Sequence, residues 1–389
     1  MANQIFIQLK RSTFLVISIF LLFAGNLIAQ TKTELVTAVE FTLQSKVLNE
    51  ERVISVFLPN NYVVSTDKYP VLYLLDGRTH FQHAISAASY LSGRVIIPNL
   101  VIVSIHNVDR NRDFSPVYSE KIPTSGGADK FLEFLSEELS VYMKKHYRIS
   151  DFSVLLGHSF GGTFIAYSLV EKPDLFDGFI AVSPYLQYAD NYMVTQTREK
   201  LNLNNTGKKY LYMTVGDEPN YFEPLKQYTQ LMEQQSADNI QFKYVKMENE
   251  NHGTTPYLTL FNGLRFIFSD WIVPRDLISR DIPEIDEHFS KLSEKYGISI
   301  HTPENVINTL GYTKLQGGDI NGAILIFKEN VKRYPKSANV YDSLGEAYEN
   351  NKQVELARKN YEKACTLGAA ALDPNLIVYM KNLERVKGM

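Results

Sequence analysis

The chain has 389 residues, 44% hydrophobic and 21% charged, and its 40 basic and 43 acidic side chains leave a formal net charge of -3. At roughly 100–200 residues per domain, this length predicts two units or one large unit with an extension. The apolar content excludes wholesale disorder. The balanced charge argues against a nucleic-acid binder, which carries a basic excess. The single cysteine, Cys365, excludes an intrachain disulfide and a thiolate zinc site.

Residues 1–29 read as an export signal. Lys10 and Arg11 precede the apolar run Phe14–Gly25, and the small residue Ala29 stands before polar Gln30. The run falls short of the ~20 apolar residues a membrane span needs, and no cysteine lies at the cut to carry a lipid. The expectation is an exported, periplasmic or secreted protein with no stable membrane anchor. A missing disulfide fits export, because a large core needs no staple.

From 30 to 273, short β-rich runs alternate with helical patterns. Val36–Val47 and Arg52–Leu58 read as an opening pair of strands. Val71–Leu75 and Leu100–Ile105 are continuous apolar runs, as strands buried on both faces require. Ser153–Leu156, Gly178–Val182, Tyr210–Val215 and Gln241–Met247 complete the set. Asp129–His146, Gly161–Val170, Pro224–Gln235 and Tyr257–Trp271 are apolar at helical spacing. The alternation predicts an α/β layered domain around a mostly parallel sheet.

Residues 274–302 form a charged connector, in which Pro283–Tyr296 reads as a helix stopped by Gly297. Residues 303–389 contain an internal repeat. Leu310-Gly311 recurs 34 positions on as Leu344-Gly345, and the same shift pairs Ala323 with Ala357 and Phe327 with Tyr361. That is the period and packing pattern of a tetratricopeptide repeat. The first copy carries Lys314 where an aromatic is usual, and Ala369 replaces the closing proline of the second. Two such units need capping. Asp373–Val386 suits one end and the connector helix the other. Cys365 lies inside the last repeat helix and reads as a small packed side chain.

The chemistry concentrates in Gly157-His-Ser-Phe-Gly-Gly162, between the Ser153–Leu156 strand and the Gly161–Val170 helix. This is G-x-S-x-G in the strand–turn–helix setting of a nucleophile elbow. Ser159 sits on a tight turn, flanking glycines let strand and helix approach, and the Phe160 amide is a candidate oxyanion donor. His158 reads as packing, pointing elsewhere. A serine needs a neutral imidazole to take its proton. His252, between a late strand and a late helix, is in the right place, because the α/β-hydrolase order is Ser, acid, His. The acid falls at Asp217-Glu218, after the Tyr210–Val215 strand. Either residue serves, with Glu218 favoured. Gly77, after the Val71–Leu75 strand, offers the second oxyanion amide. Arg78, Asn107 and Arg110 are candidate substrate-binding residues, Arg110 for an anionic group. Arg112 and Asp113 read as bracing, and Tyr118, Tyr185, Tyr188 and Tyr192 lie in segments suited to a pocket wall.

Tyr69–Gly77, Asn107 with Arg110, Arg112, Asp113 and Pro116, Gly157–Gly162, Ser183-Pro184 and Asn251–Gly253 together resemble the putative-esterase family of α/β-hydrolases. That family includes enterobactin-type siderophore esterases, feruloyl esterases and esterase D. The likeness covers roughly residues 34–271. It implies an α/β-hydrolase fold acting on carboxylic esters without a metal or organic cofactor, with Ser159 matching the nucleophile and His252 the base. The acid position varies within the family. The small all-α repeat domain is an addition to it. The expected function is an exported serine carboxylic-ester hydrolase working through an acyl-enzyme on a small-molecule or carbohydrate-linked ester, with a protein partner possible at the repeats. The competing reading is an inert hydrolase-fold scaffold whose repeats recruit that partner.

Overall fold

The computed structural model describes residues 37–388 apart from 60, 63–65, 204–205, 236–238, 279 and 372. The segment read as an export signal lies outside the described residues. Ala38–Met389 form one compact unit.

Eight strands make one sheet in the order β1-β2-β4-β3-β5-β6-β7-β8. They are β1 (Thr37–Ser45), β2 (Glu50–Leu58), β3 (Tyr69–Leu74), β4 (Val101–Ile105), β5 (Ile149–His158), β6 (Gly178–Val182), β7 (Lys209–Val215) and β8 (Ile240–Lys246). β2 runs antiparallel to β4, and from β4 to β8 every neighbouring pair is parallel. The central strands are apolar throughout because helices cover both faces. Along β5, Leu155 packs with Val103, Phe131 and Phe164 on one face. Val154 and Leu156 pack on the other with Ile102, Leu260 and Leu264, the period of two that a pleated strand imposes.

Several helices differ from the sequence expectation. Gly77–Gly93 is a full helix to which the sequence reading assigned no element. Its buried face is mostly small, with Gly77, Ala84, Ala87 and Ala88, too small to give a strong apolar period. Tyr188–Lys200 also went unpredicted, and Ala189, Asp190 and Asn191 break its regularity with positive φ. The expected helix at 129–146 is divided by a π-helical segment, Phe134–Leu139. The expected start at Pro224 lies inside a helix that begins at Pro219.

The connector helix, Ile282–Tyr296, is capped by Asp281, which accepts from the Glu284 amide, and ends at Gly297 with φ 60°. Its buried stripe of Ile285, Phe289, Leu292 and Tyr296 joins Phe152, Phe268 and Trp271 in the core beside the sheet. Four helices follow: Glu304–Gln316, Ile320–Arg333, Ala338–Asn350 and Val354–Ala371. A Cβ on Gly311 would meet the Phe327 ring at 2.4 Å, and one on Gly345 would meet the Tyr361 ring at 2.8 Å. Glycine therefore admits an aromatic at the same place in both copies, which is compatible with tetratricopeptide packing. The last helix, Leu376–Lys387, is tied back by Asn382 to Asp342 (2.9 Å) and by Arg385 to Glu349 (2.7 Å). Asp286 joins the connector helix to the first pair through a two-pronged contact with Arg333 (2.7 and 2.9 Å). Cys365 is half-buried.

Candidate active site

The strand order reverses at β3, which has β4 on one side and β5 on the other. In an open α/β sheet, the crevice beyond the strand ends at such a point is where ligands bind. Three residues just past strand ends here have positive φ without being glycine: Asp76 (52°) after β3, Ser159 (57°) after β5 and Ser183 (40°) after β6. Strain of this kind survives only where surrounding structure enforces it, and it clusters at functional sites.

The turn at Ser159 explains the glycines around it. Ser159 has φ 57° and ψ -116°, and the helix Phe160–Glu171 starts directly after it. A Cβ on Gly157 would lie 2.3 Å from the Gly161 carbonyl oxygen, and one on Gly162 would lie 2.8 Å from Pro184 Cα. Phe160 and Gly77 are each the first residue of a helix. Their amides are therefore among the N–H groups that a helix start leaves without an intrahelical acceptor. A Cβ on Gly77 would meet Ser104 Oγ at 2.3 Å.

His252, Glu218 and Ser183 form a hydrogen-bonded chain. His252 Nδ1 pairs with Glu218 Oε2. Glu218 Oε1 accepts from Ser183 Oγ (2.6 Å) and from the Gly216 amide (3.0 Å). Glu218 is buried at 8% exposure, whereas Asp217 is exposed. The imidazole lies near the Ser159 turn: its ring centroid is 4.5 Å from that of His158 and 5.4 Å from that of Tyr221. Burial raises the Tyr221 phenol pKa.

Other expected residues take different places. His158 does not point away from the site; it packs against His252 because the short turn brings the β8–helix loop over the end of β5. Arg110 donates to both Asp76 oxygens (2.6 and 3.0 Å) and to the His158 carbonyl (3.0 Å). Asn107 Nδ2 donates to Asp76 Oδ1 (2.6 Å). Asp76 thus gathers two of the candidate substrate residues into a brace beneath the turn. Arg78 Nε donates to His106 Nδ1 (3.1 Å), and His106 Nε2 meets Ser55 Oγ at 3.0 Å. Arg112 bridges Glu50 (2.6 Å) and Asp113 (2.8 Å), and fully buried Arg52 reaches Asp113 at 2.7 Å. Tyr188 is buried and donates to the Val117 carbonyl (2.7 Å). Tyr118 is exposed, Tyr192 is half-buried, and Tyr185 lies 5.9 Å from Tyr221 by ring centroids. Sequence reasoning gave no role to Ser183, Tyr221 or Asp76. Asp76 and Ser183 lie in segments that carry the family resemblance, just after apolar strands, whereas Tyr221 lies in the helix Pro219–Gln235 and carried no signal.

The family model described as "Putative esterase" matches residues 45–257. The chain belongs to that family. Among curated esterase relatives, the ferri-bacillibactin esterase BesA of Bacillus subtilis is 29% identical over 157 residues, 35% of this chain and 54% of that enzyme. The chain thus spans about half the length of that relative. The crystal structure of an IroE-like serine hydrolase from Shewanella oneidensis shares the esterase fold at 24% identity, with a TM-score of 0.63 over 72% of this chain and 95% of that one. An uncharacterised protein from Capnocytophaga ochracea gives a TM-score of 0.63 at 17% identity over 91% of this chain and 100% of its own. That coverage extends the shared fold beyond the esterase segment into the carboxy-terminal helices.

Proposed function

We propose that the protein is a serine carboxylic-ester hydrolase in which Ser159 attacks the ester carbonyl and His252 takes its proton. Glu218 holds the imidazole in the tautomer that leaves Nε2 free to accept, and it stabilises the imidazolium that forms. The Phe160 and Gly77 amides would receive the oxyanion. Each such donor is worth about 3 kcal/mol in the transition state. The alcohol leaves with the proton from His252. A water activated by the same imidazole then releases the acid from Ser159. The observation that carries this reading is the His252–Glu218–Ser183 chain, set against the turn where Ser159 is held at φ 57°.

The esterase segment is assigned to 30–273, the connector to 274–302 and two tetratricopeptide units with a capping helix to 303–389. Export is part of the proposal and rests on the Lys10-Arg11 and Phe14–Gly25 pattern. A mature chain beginning at Gln30 would be its signature. The relative named for ferri-bacillibactin makes siderophore lactones one substrate class to try beside feruloyl, acetyl-sugar and simple acyl esters. The test is hydrolysis of p-nitrophenyl acetate and butyrate by wild type and Ser159→Ala. Turnover that vanishes in the variant is expected. Equal rates for the two proteins would overturn the reading.

A further inference from the structure

The turn after β6 touches the Ser159 main chain on one side and the Glu218 side chain on the other. Its backbone clasps Ser159 at both polar groups: the Ser159 amide donates to the Val182 carbonyl (2.8 Å), and the Ser159 carbonyl accepts from the Tyr185 amide (3.1 Å). Thr163 Oγ1 adds a bond to the Tyr185 carbonyl (2.9 Å). Between these two clasping residues stands Ser183, fully buried and held at φ 40°. Its amide donates to the Thr214 carbonyl on β7 (2.9 Å). Its hydroxyl gives its single proton to Glu218 Oε1 (2.6 Å) and faces Thr255 Oγ1 at 3.3 Å. Glycine would take this left-handed backbone without strain. What glycine lacks is the hydroxyl.

From these contacts we infer that Ser183 is a positioning residue, which sets the Glu218 carboxylate, and through it the His252 ring, in register with the main chain that carries Ser159. This inference rests on the reading of Ser159, His252 and Glu218 given above. Glu218 Oε1 has one other partner, the Gly216 amide at 3.0 Å. That bond is local to the loop after β7 and moves with it, so it cannot register the carboxylate against the end of β5. The Ser183 hydroxyl can, because its own backbone neighbours hold Ser159. Without that hydroxyl the carboxylate keeps the Gly216 bond but is free to pivot about it, and His252 Nδ1, paired with Oε2, pivots too.

The test is a double-variant cycle of Ser183→Ala and Glu218→Gln on p-nitrophenyl butyrate, with rates taken above that of Ser159→Ala and the thermal midpoint of each protein read alongside. Misplacing a catalytic group by about 1 Å costs up to ~100-fold in rate. Ser183→Ala should therefore lower kcat by ~10–100-fold with KM within about twofold. In the Glu218→Gln background, where the carboxylate is already gone, the same change should cost less than about threefold, since residues that act as one unit are not additive. Ser183→Cys fills the same space with a weak donor and takes the place of the alanine variant throughout if that protein does not fold; it too should lose more than about threefold. A loss of kcat below about threefold in the variant used would overturn the inference. So would a loss that recurs undiminished in the Glu218→Gln background, which marks an effect on the fold rather than one passed through the acid. An inactive wild type, or a Ser159→Ala protein as fast as wild type, would instead overturn the esterase reading itself, so the two failures are told apart.

Discussion

Glu218→Gln is the substitution whose effect the geometry determines most fully. Glu218 Oε1 accepts from the Gly216 amide at 3.0 Å and from Ser183 Oγ at 2.6 Å. The amide N–H can only donate, so in the variant the glutamine oxygen must occupy that site. Its NH2 group is then forced into the Oε2 position, facing His252 Nδ1. An NH2 donates, which requires Nδ1 to accept and moves the ring proton to Nε2. That nitrogen can no longer take the proton from Ser159. Wrong-tautomer variants of this type lose about 10,000-fold in kcat, or about 5 kcal/mol of transition-state stabilisation. Shape and burial are nearly unchanged, so folding stability should move by less than about 1 kcal/mol. The assay is burst and steady-state hydrolysis of p-nitrophenyl butyrate, with the thermal midpoint measured in parallel. Exposed Asp217→Asn serves as the control and should retain activity. If Glu218→Gln keeps kcat within tenfold of wild type, Glu218 does not orient the base, and the reasoning fails.

Other outcomes follow from the same geometry. Gly157→Ala drives a Cβ to 2.3 Å from backbone oxygen, so it should destabilise the fold by at least the ~1–3 kcal/mol of core overpacking, read by urea unfolding. Arg52→Met removes one of the two cations beside buried Asp113, at 2.7 Å, while Arg112 stays at 2.8 Å, so the loss should approach the lower end of the range for a broken buried pair. Breaking one side of a buried pair costs about 3–5 kcal/mol, and a drop in midpoint of less than about 2 °C would contradict this. His158 and His80 are both held to about 4, mainly by burial. An unfolded chain takes up protons there from about 6.5 downward while the native one does not. Their contribution is therefore complete above about pH 6.5 and disappears as pH falls toward 4, with an upper bound of about 3 kcal/mol each. Urea midpoints at pH 7, 5.5 and 4.5 should fall steadily, and His80→Gln should flatten the slope.

The parts of the fold visible in the sequence were those written in large apolar side chains. Val71–Leu75, Leu100–Ile105 and Ser153–Leu156 announced central strands because burial on both faces leaves no polar position. Gly77–Gly93 escaped because alanine makes its inner face, and Tyr188–Lys200 because three left-handed residues interrupt it. In the site, Ser159 and His252 stood out through chemistry that few other positions offer. Ser183 and Tyr221 did not, since serine and tyrosine are common and their value here comes from partners distant in the chain. His158 was misread for a related reason: the strand period sends its side chain away from Ser159, but the returning loop of His252 meets it there.

The edge-to-face contact of Tyr296 with Phe152, 4.7 Å between ring centroids at 77°, has a mechanical consequence. Phe152 belongs to the strand whose far end presents Ser159, so the connector helix is bolted to the rail on which that serine rides. The terminal helical array cannot swing as a tethered arm. Any load applied to it is felt along β5, and shearing the array off would strip an oily floor from the catalytic layer.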